Sequence, residues 1–314
     1  MEEHAMIINT GNRTDIPAYF SDWFYNRIRE GYVLARNPYY PQQVTRLTLS
    51  PEVVDCLCFC TKNPEPMLAR LHELDGYGQF WFVTITPYGK DIEPGVPDKK
   101  LVMASFQQLS RKVGKHAIGW RYDPIFLSEK YSLEFHLRAF EEMARELCGY
   151  TEQCVISFID LYEKTKKNFP GVRAVNRADQ EWIAQTFVEI GAKFGMQIYT
   201  CLEGTHLARF GVDTSGCMTQ KIIEKAIGEN LEIPKNLSAA REGCNCLLGN
   251  DIGMYNTCSQ GCLYCYANYD MDTVRQNCKL HDPKSPLLIG HLRDEDVVKE
   301  ARQKSYIDGQ LRLF

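Results

Sequence analysis

An alternation of short apolar runs with longer helical patterns, repeated six times before residue 230, constrains this chain more than any other feature. Apolar runs of strand length, each followed by apolar residues at helical spacing and closed by glycine, read as successive strand-and-helix units. Met6–Asn9 leads to a helix from Pro17 to Glu30, with Asp15 available as its cap and Gly31 as its stop. Val54–Cys60 leads to Glu65–Leu74, and Phe80–Thr86 to a helix ending near Val113. Ala117–Tyr122 leads to Leu133–Leu147, Cys154–Phe158 to Arg177–Phe194, and Gln197–Cys201 to Gln220–Ile227. Such alternation implies right-handed crossovers and a parallel sheet covered by helices. The expected class is α/β: a partial (β/α)6 TIM-like barrel over residues 1–230. Residues 231–314 carry cysteines, Tyr/Asn-rich turns and a helical stretch at Asp294–Lys304, and are expected to pack on the barrel mouth.

Composition narrows the setting. Of 314 residues 44% are hydrophobic and 24% charged, enough to bury a sizeable core without disorder. A net charge of -4 gives no basic field to attract nucleic acid or an anionic membrane. The opening Met1-Glu2-Glu3-His4-Ala5 carries acid where a signal peptide needs positive charge, and no apolar run reaches membrane-spanning length. The expected location is the cytoplasm, with no membrane partner.

In parallel β/α folds ligands meet the C-terminal ends of the strands. Here those ends carry Arg13 and Asp15, Lys62 and Asn63, Thr84, Arg121 and Asp123, Asp160, and Glu203. Arg13, Lys62 and Arg121 suit a carboxylate or phosphate; Asp15, Asp123, Asp160 and Glu203 suit hydroxyls, amines or proton transfer. These seven charged residues are the catalytic candidates. Each also has a bland reading: Asp15 as a cap, Arg121 with Asp123 as a buried ion pair, Lys62 as a solvated surface group. The Pro/Gly-rich stretch Thr86–Asp98 is a candidate lid.

Thirteen cysteines is an odd, high count, and seven of them fall within the 65 residues Cys201–Cys265. That clustering suits metal binding in a reducing compartment better than a disulfide scaffold. Cys258, Cys262 and Cys265 have C-x3-C-x2-C spacing, with Tyr264 before the last cysteine. Three thiolates on one loop can ligate three irons of a 4Fe-4S cubane and leave the fourth iron open. A structural zinc or a plain electron-transfer cluster would recruit a fourth ligand, for which Cys278, Cys246 and His281 are available, but zinc knuckles usually come as paired C-x2-C and only one occurs here. Cys201, Cys217, Cys244 and Cys246 could hold a second cluster, or be unrelated core residues. Cys56, Cys58 and Cys60 alternate along one strand and face one side as core filling, with a ligand role for Cys60 as the alternative. Motifs for nucleotide triphosphatases, dinucleotide dehydrogenases, zincins and serine hydrolases are absent from the sequence.

The cysteine motif, including its aromatic position, resembles that of the radical S-adenosylmethionine (SAM) superfamily. The chain as a whole resembles the family labelled domain of unknown function 1848, whose C-terminal cysteines are described as similar to those of radical SAM proteins. This likeness rests on Arg13-Thr14-Asp15-Ile16-Pro17, Thr61-Lys62-Asn63-Pro64, Thr86-Pro87-Tyr88-Gly89, Trp120-Arg121-Tyr122-Asp123-Pro124, Ser157-Phe158-Ile159-Asp160, and Asp251-Ile252-Gly253-Met254-Tyr255-Asn256-Thr257 running into the cysteines and Tyr266-Ala267-Asn268. The resemblance implies that the open iron binds SAM and that electron transfer through the cluster yields a 5′-deoxyadenosyl radical. Asn63, Thr84, Asn256 and Tyr264 are the candidates for holding the cofactors. In ordinary radical SAM enzymes the cysteine loop follows the first strand of the barrel; here it follows the sixth.

The expected function is thus an anaerobic, iron–sulfur, radical SAM-type enzyme acting on a small molecule at the barrel mouth, with an electron donor such as flavodoxin or ferredoxin. The alternatives are an iron–sulfur carrier or sensor without SAM chemistry, and a zinc-stabilised barrel hydrolase.

Overall fold

The computed structural model describes residues 6–233, 244–247 and 249–308. The acidic start Met1–Ala5, read above as lacking a leader, lies outside the described residues.

The first unit forms as its sequence dictates. Strand β1 (Ile7–Asn9) is followed by α1 (Ile16–Tyr19) and α2 (Ser21–Glu30). Asp15 Oδ1 accepts the Ala18 N–H at 3.1 Å, and Gly31 ends α2 at φ 73°, a left-handed conformation that costs glycine little. A hairpin of β2 (Tyr32–Arg36) and β3 (Gln43–Thr48), which the six-unit reading missed, then interrupts the series. The remaining units are β4 (Cys56–Thr61) with α3 (Glu65–Leu68), β5 (Gln79–Thr84) with α4 (Lys99–Val113), and β6 (Ile118–Ile125) with α5 (Leu133–Glu146). After them come β7 (Gln153–Phe158) with α6 (Glu163–Asn168) and α7 (Arg177–Lys193), and β8 (Gln197–Thr200) with α8 (Gln220–Ile227). Caps of the expected chemistry start the long helices: Asp98 for α4, Ser132 for α5, Asn176 for α7.

Seven strands make one parallel sheet in the order β8-β7-β6-β5-β4-β1-β9, where β9 (Asn250–Asp251) pairs with β1. Apart from β9 the order follows the chain, so every crossover carries its helix to the same face. Alternation along the strands separates two cores. Phe59, Trp81, Trp120 and Cys154 pack beneath the helices, where Trp120, Phe140 and Phe187 stack with centroids 4.8 and 3.7 Å apart. Ile7, Cys56, Cys58, Phe80, Phe82 and Val155 fill the other face against Ile222 and Ile223 of α8. Cys56 and Cys58 thus fill a core, with Cys60 packed at its edge.

The helical reading of Asp294–Lys304 fails. Val297–Glu300 is strand β10, pairing with β3 in a separate three-stranded sheet of order β10-β3-β2. The free edge of β3 supplies the hydrogen bonds a helix would have made for itself, and Arg36 with Asp296 ties the strap down. The segment before it also holds α9 (Met271–Cys278), read from sequence as turns. Among the described residues no helix is long and apolar enough to cross a membrane.

Candidate metal and cofactor site

The loop from Cys258 to Cys265 follows β9, which lies beside β1 at the sheet edge, so it opens at the C-terminal rim of the strands. Asp251, at the end of β9, fixes this junction. Its Oδ1 accepts the Gly253 N–H at 2.8 Å, its Oδ2 accepts the Asn12 N–H at 2.9 Å, and Arg13 Nε lies 3.3 Å away. Arg13 also donates to the carbonyls of Asp251 and Gly253, so its guanidinium is spent on holding the loop.

The stretch Thr86–Asp98, the candidate lid, packs against the cysteine loop. Gly95 N–H donates to Gln260 O at 2.8 Å and Leu263 N–H to Ile92 O at 3.1 Å, locking it against the cysteine loop. The approach is so close that a Cβ on Gly95 would stand 2.7 Å from the Ser259 and Gln260 carbonyl oxygens.

Glu93 is the residue that sequence reasoning missed. Fully buried, it accepts from Lys62 Nζ at 2.8 Å and Thr86 Oγ1 at 2.6 Å, and bonds Lys99 Nζ and the Tyr264 hydroxyl. Burial opposes its ionisation, yet the Lys62 and Lys99 ammonium groups outweigh this and hold its carboxyl down at about 2. Lys62 is therefore a part-buried partner of Glu93 rather than a solvated group. Its ammonium also lies 5.5 Å over the Tyr264 ring.

Asp15 is more than a cap. Its Oδ2 accepts from Lys62 N–H at 2.9 Å and Gln260 Nε2 at 3.2 Å, and burial raises its pKa against those bonds. Burial likewise pushes the Cys258, Cys262 and Cys265 thiols up, Cys262 to about 12 despite Lys62 nearby. They are neutral thiols until a metal displaces their protons.

The other calls divide. Asn63 Oδ1 accepts the Glu65 N–H, and Asn256, at φ 57°, shapes the loop through Tyr269 N–H and Ala267 O. Thr84 is buried at the end of β5, paired in register with Arg121. Cys278 Sγ lies 3.3 Å from Thr257 O and 4.0 Å from Ser259 Oγ, against the same loop. His281 Nδ1 instead pairs with Leu288 O at 2.7 Å. Asp160 is exposed and accepts from Tyr162 OH.

Toward β8 the rim changes character. Arg121 pairs with Asp123, which also takes the Ser157 hydroxyl; burial opposes ionisation of Asp123, but the Arg121 charge prevails and lowers its pKa. Burial raises Glu203 to about 7, with Asp123 and Asp160 adding to the effect while Phe158 N–H opposes it. Here Cys201, Cys217 and Cys246 gather, all three sulfurs within 4.8 Å of one another. Cys244 is buried in the same cluster but its sulfur is outside that tight group, accepting the Cys246 N–H at 3.4 Å. The four-cysteine set thus narrows to three. Hydrogen bonds from Cys217 and Cys246 pull the Cys201 thiol down, and that shared charge pushes the other two up.

Four buried polar atoms beside the cysteines lack partners among the described residues: Thr14 Oγ1, Gln260 Oε1, Asn268 Oδ1 and Thr200 Oγ1. Native interiors seldom leave such atoms open. Thr14 and Asn268 lie in stretches that carry the family resemblance, whereas nothing in the spacing of Gln260 marks it.

No curated protein matches the chain. Residues 7–267, from β1 through the cysteine loop, match one family along most of the chain: it belongs to the family described as Domain of unknown function (DUF1848).

Proposed function

We propose that the protein is an iron–sulfur enzyme of the radical SAM type, in which Cys258, Cys262 and Cys265 hold a 4Fe-4S cluster at the mouth of an open, rolled (β/α)6 barrel. The observation carrying this reading is the seat of the cysteine loop. It lies at the strand-end rim, walled by Asp15, Lys62, Glu93 and Tyr264, rather than on an outer surface. Three thiolates on separate irons stand wider than three on one ion, and these three are not drawn into a tight group as Cys201, Cys217 and Cys246 are.

The donor set fits the cofactors. Cys258, Cys262 and Cys265 would hold the cluster by three thiolates, which would leave one iron open to SAM, and a reduced cluster would supply the electron for cleaving the sulfonium. The chain's own residues then bind and orient. Gln260 Oε1 and Asn268 Oδ1 are free to accept from an ammonium or hydroxyl, while Thr14 can donate or accept. Lys62 and Lys99 balance Glu93 and add a positive field beside the thiolates. Arg121, Asp123, Asp160 and Glu203 are the residues we assign to the substrate, with Glu203 raised to about 7 and so suited to moving a proton. A small-molecule substrate and a flavodoxin- or ferredoxin-like donor complete the proposal.

The test is anaerobic reconstitution followed by dithionite and SAM, with 5′-deoxyadenosine as the expected product. No 5′-deoxyadenosine from an intact, SAM-accessible cluster would defeat it. The position of Cys278 against the loop favours a second reading, a fully ligated electron-transfer cluster. If Cys278→Ser loses iron as completely as Cys262→Ser does, that reading wins.

A further inference from the structure

Cys201, Cys217 and Cys246 come from three separate segments. Cys201 directly follows β8, Cys217 precedes α8, and Cys246 lies just upstream of β9. The sulfurs of Cys217 and Cys246 are 3.6 Å apart, and those of Cys201 and Cys246 are 3.8 Å apart. Tetrahedral bonds of about 2.3 Å to one zinc-class ion place neighbouring thiolates about 3.8 Å apart. A cubane would hold them wider.

Contact distance alone does not make a site, because Cys56 and Cys58 also bring sulfurs to 3.7 Å inside an apolar core. Their hydrogen bonding separates the two cases. Cys56 turns its thiol as a donor toward the Leu57 carbonyl. At the triad the sulfurs accept: Met218 N–H points to Cys246 Sγ at 3.3 Å, and Arg121 Nη1 lies 3.9 Å from Cys217 Sγ. N–H donors and a guanidinium around sulfur stabilise thiolates, and the net negative charge of three thiolates on a divalent ion calls for such a counter-charge. Cys201 is partly exposed, which gives an ion a way in.

The site also has a place in the architecture. β8 and β9 are the two opposite edges of the seven-stranded sheet. Between them, Asp213 bridges to β8, and Leu247 N–H donates to Met218 O at 2.8 Å. An ion on Cys201, Cys217 and Cys246 therefore ties one edge to the other.

We propose that these three thiolates bind one zinc-class divalent ion that clasps the open edges of the sheet, independently of the Cys258–Cys265 loop. A Cys258→Ser/Cys262→Ser/Cys265→Ser variant grown with zinc should retain one zinc per chain and no iron. Adding Cys217→Ser to it should remove that zinc, whereas adding Cys58→Ala should not. Cobalt substitution should give thiolate-to-metal charge-transfer bands. A folded triple variant with no zinc, or one that takes up iron and sulfide at about four per chain, would overturn the proposal. Should the triple variant not fold, zinc-edge X-ray absorption on the unaltered chain decides. At least three sulfur scatterers near ~2.3 Å support the site, and a shell of nitrogen and oxygen alone refutes it. For the clasp, chelating the zinc should speed amide exchange at Thr200 and Leu247 at least tenfold; unchanged exchange would rule it out.

Discussion

The two cysteine groups differ in how they are built. Cys258, Cys262 and Cys265 sit on one short loop, so sequence spacing alone brings them near each other, and the rest of the fold decides only where the loop is seated. Cys201, Cys217 and Cys246 come together only once β8, α8 and the approach to β9 have packed. A group on one loop can bind before the fold is complete and be anchored afterwards, whereas a group from three segments reports on the fold itself. That contrast is the basis for proposing one group as a reactive centre and the other as a fastening.

The largest expected difference lies in metal content. Cys262→Ser should abolish 5′-deoxyadenosine formation and strip iron while leaving zinc in place, and Cys217→Ser should do the reverse for metal content; loss of both metals from either variant would dissolve the distinction. Next comes the wall of the first group. Lys62→Met leaves buried Glu93 with only Lys99 as cation, and should destabilise the chain by about 3 kcal/mol in urea unfolding, together with weaker iron retention.

Acid should act on the same side. His136, buried between the Tyr122 hydroxyl and Phe126 O, is lowered by burial from 6.5 to about 4, and its ring lies 5.9 Å from Tyr88, which packs toward Tyr264. Between these values the unfolded chain takes up a proton that the folded chain does not. The contribution of His136 to stability is therefore complete above pH 6.5 and falls as pH drops toward 4, by up to about 3 kcal/mol. His136→Gln should flatten that slope in unfolding measured at pH 7 and pH 5.

Two glycines give the finest comparison. Gly95→Ala drives a methyl into the Ser259 and Gln260 carbonyls and should cost about 2 kcal/mol with loss of iron. Gly216→Ala, at φ 130° with its Cβ 3.2 Å from Cys246 Sγ, should cost about 1 kcal/mol and lower only zinc occupancy. Unfolding midpoints and metal analysis on both variants would check the pair.

Much of the fold was legible because its signals are local. Asp15 and Gly31 announce the ends of the first helical region, and Cys56, Cys58 and Cys60 show the period of a strand with two different faces. Long-range pairing was not legible. Two-residue β9 has no periodicity to read, and Val297–Glu300 becomes a strand only because β3 offers an unpaired edge. The site divides in the same way. The motif announced Cys258, Cys262 and Cys265, and strand-end logic found Lys62 and Asp15. Glu93 escaped because its role arises from two lysines and a tyrosine converging on it in space. Cys244 was one of four cysteines that could form a second site, and sequence cannot show that its sulfur accepts the Cys246 N–H outside the tight group of three.

The pairing of β9 with β1 also sets an order of events during synthesis. A ribosome releases β1 with the strand-end groups Arg13, Asp15 and Lys62 long before it makes Asp251 and the cysteine loop. Domains begin to fold as they emerge, so the strand ends of the rim can assemble before the cysteine loop is translated. Arg13 and Asn12 wait for Asp251. If the proposed cluster is the cofactor, iron delivered before residue 258 is made would find none of Cys258, Cys262 and Cys265 on that rim, so loading would follow synthesis of the loop.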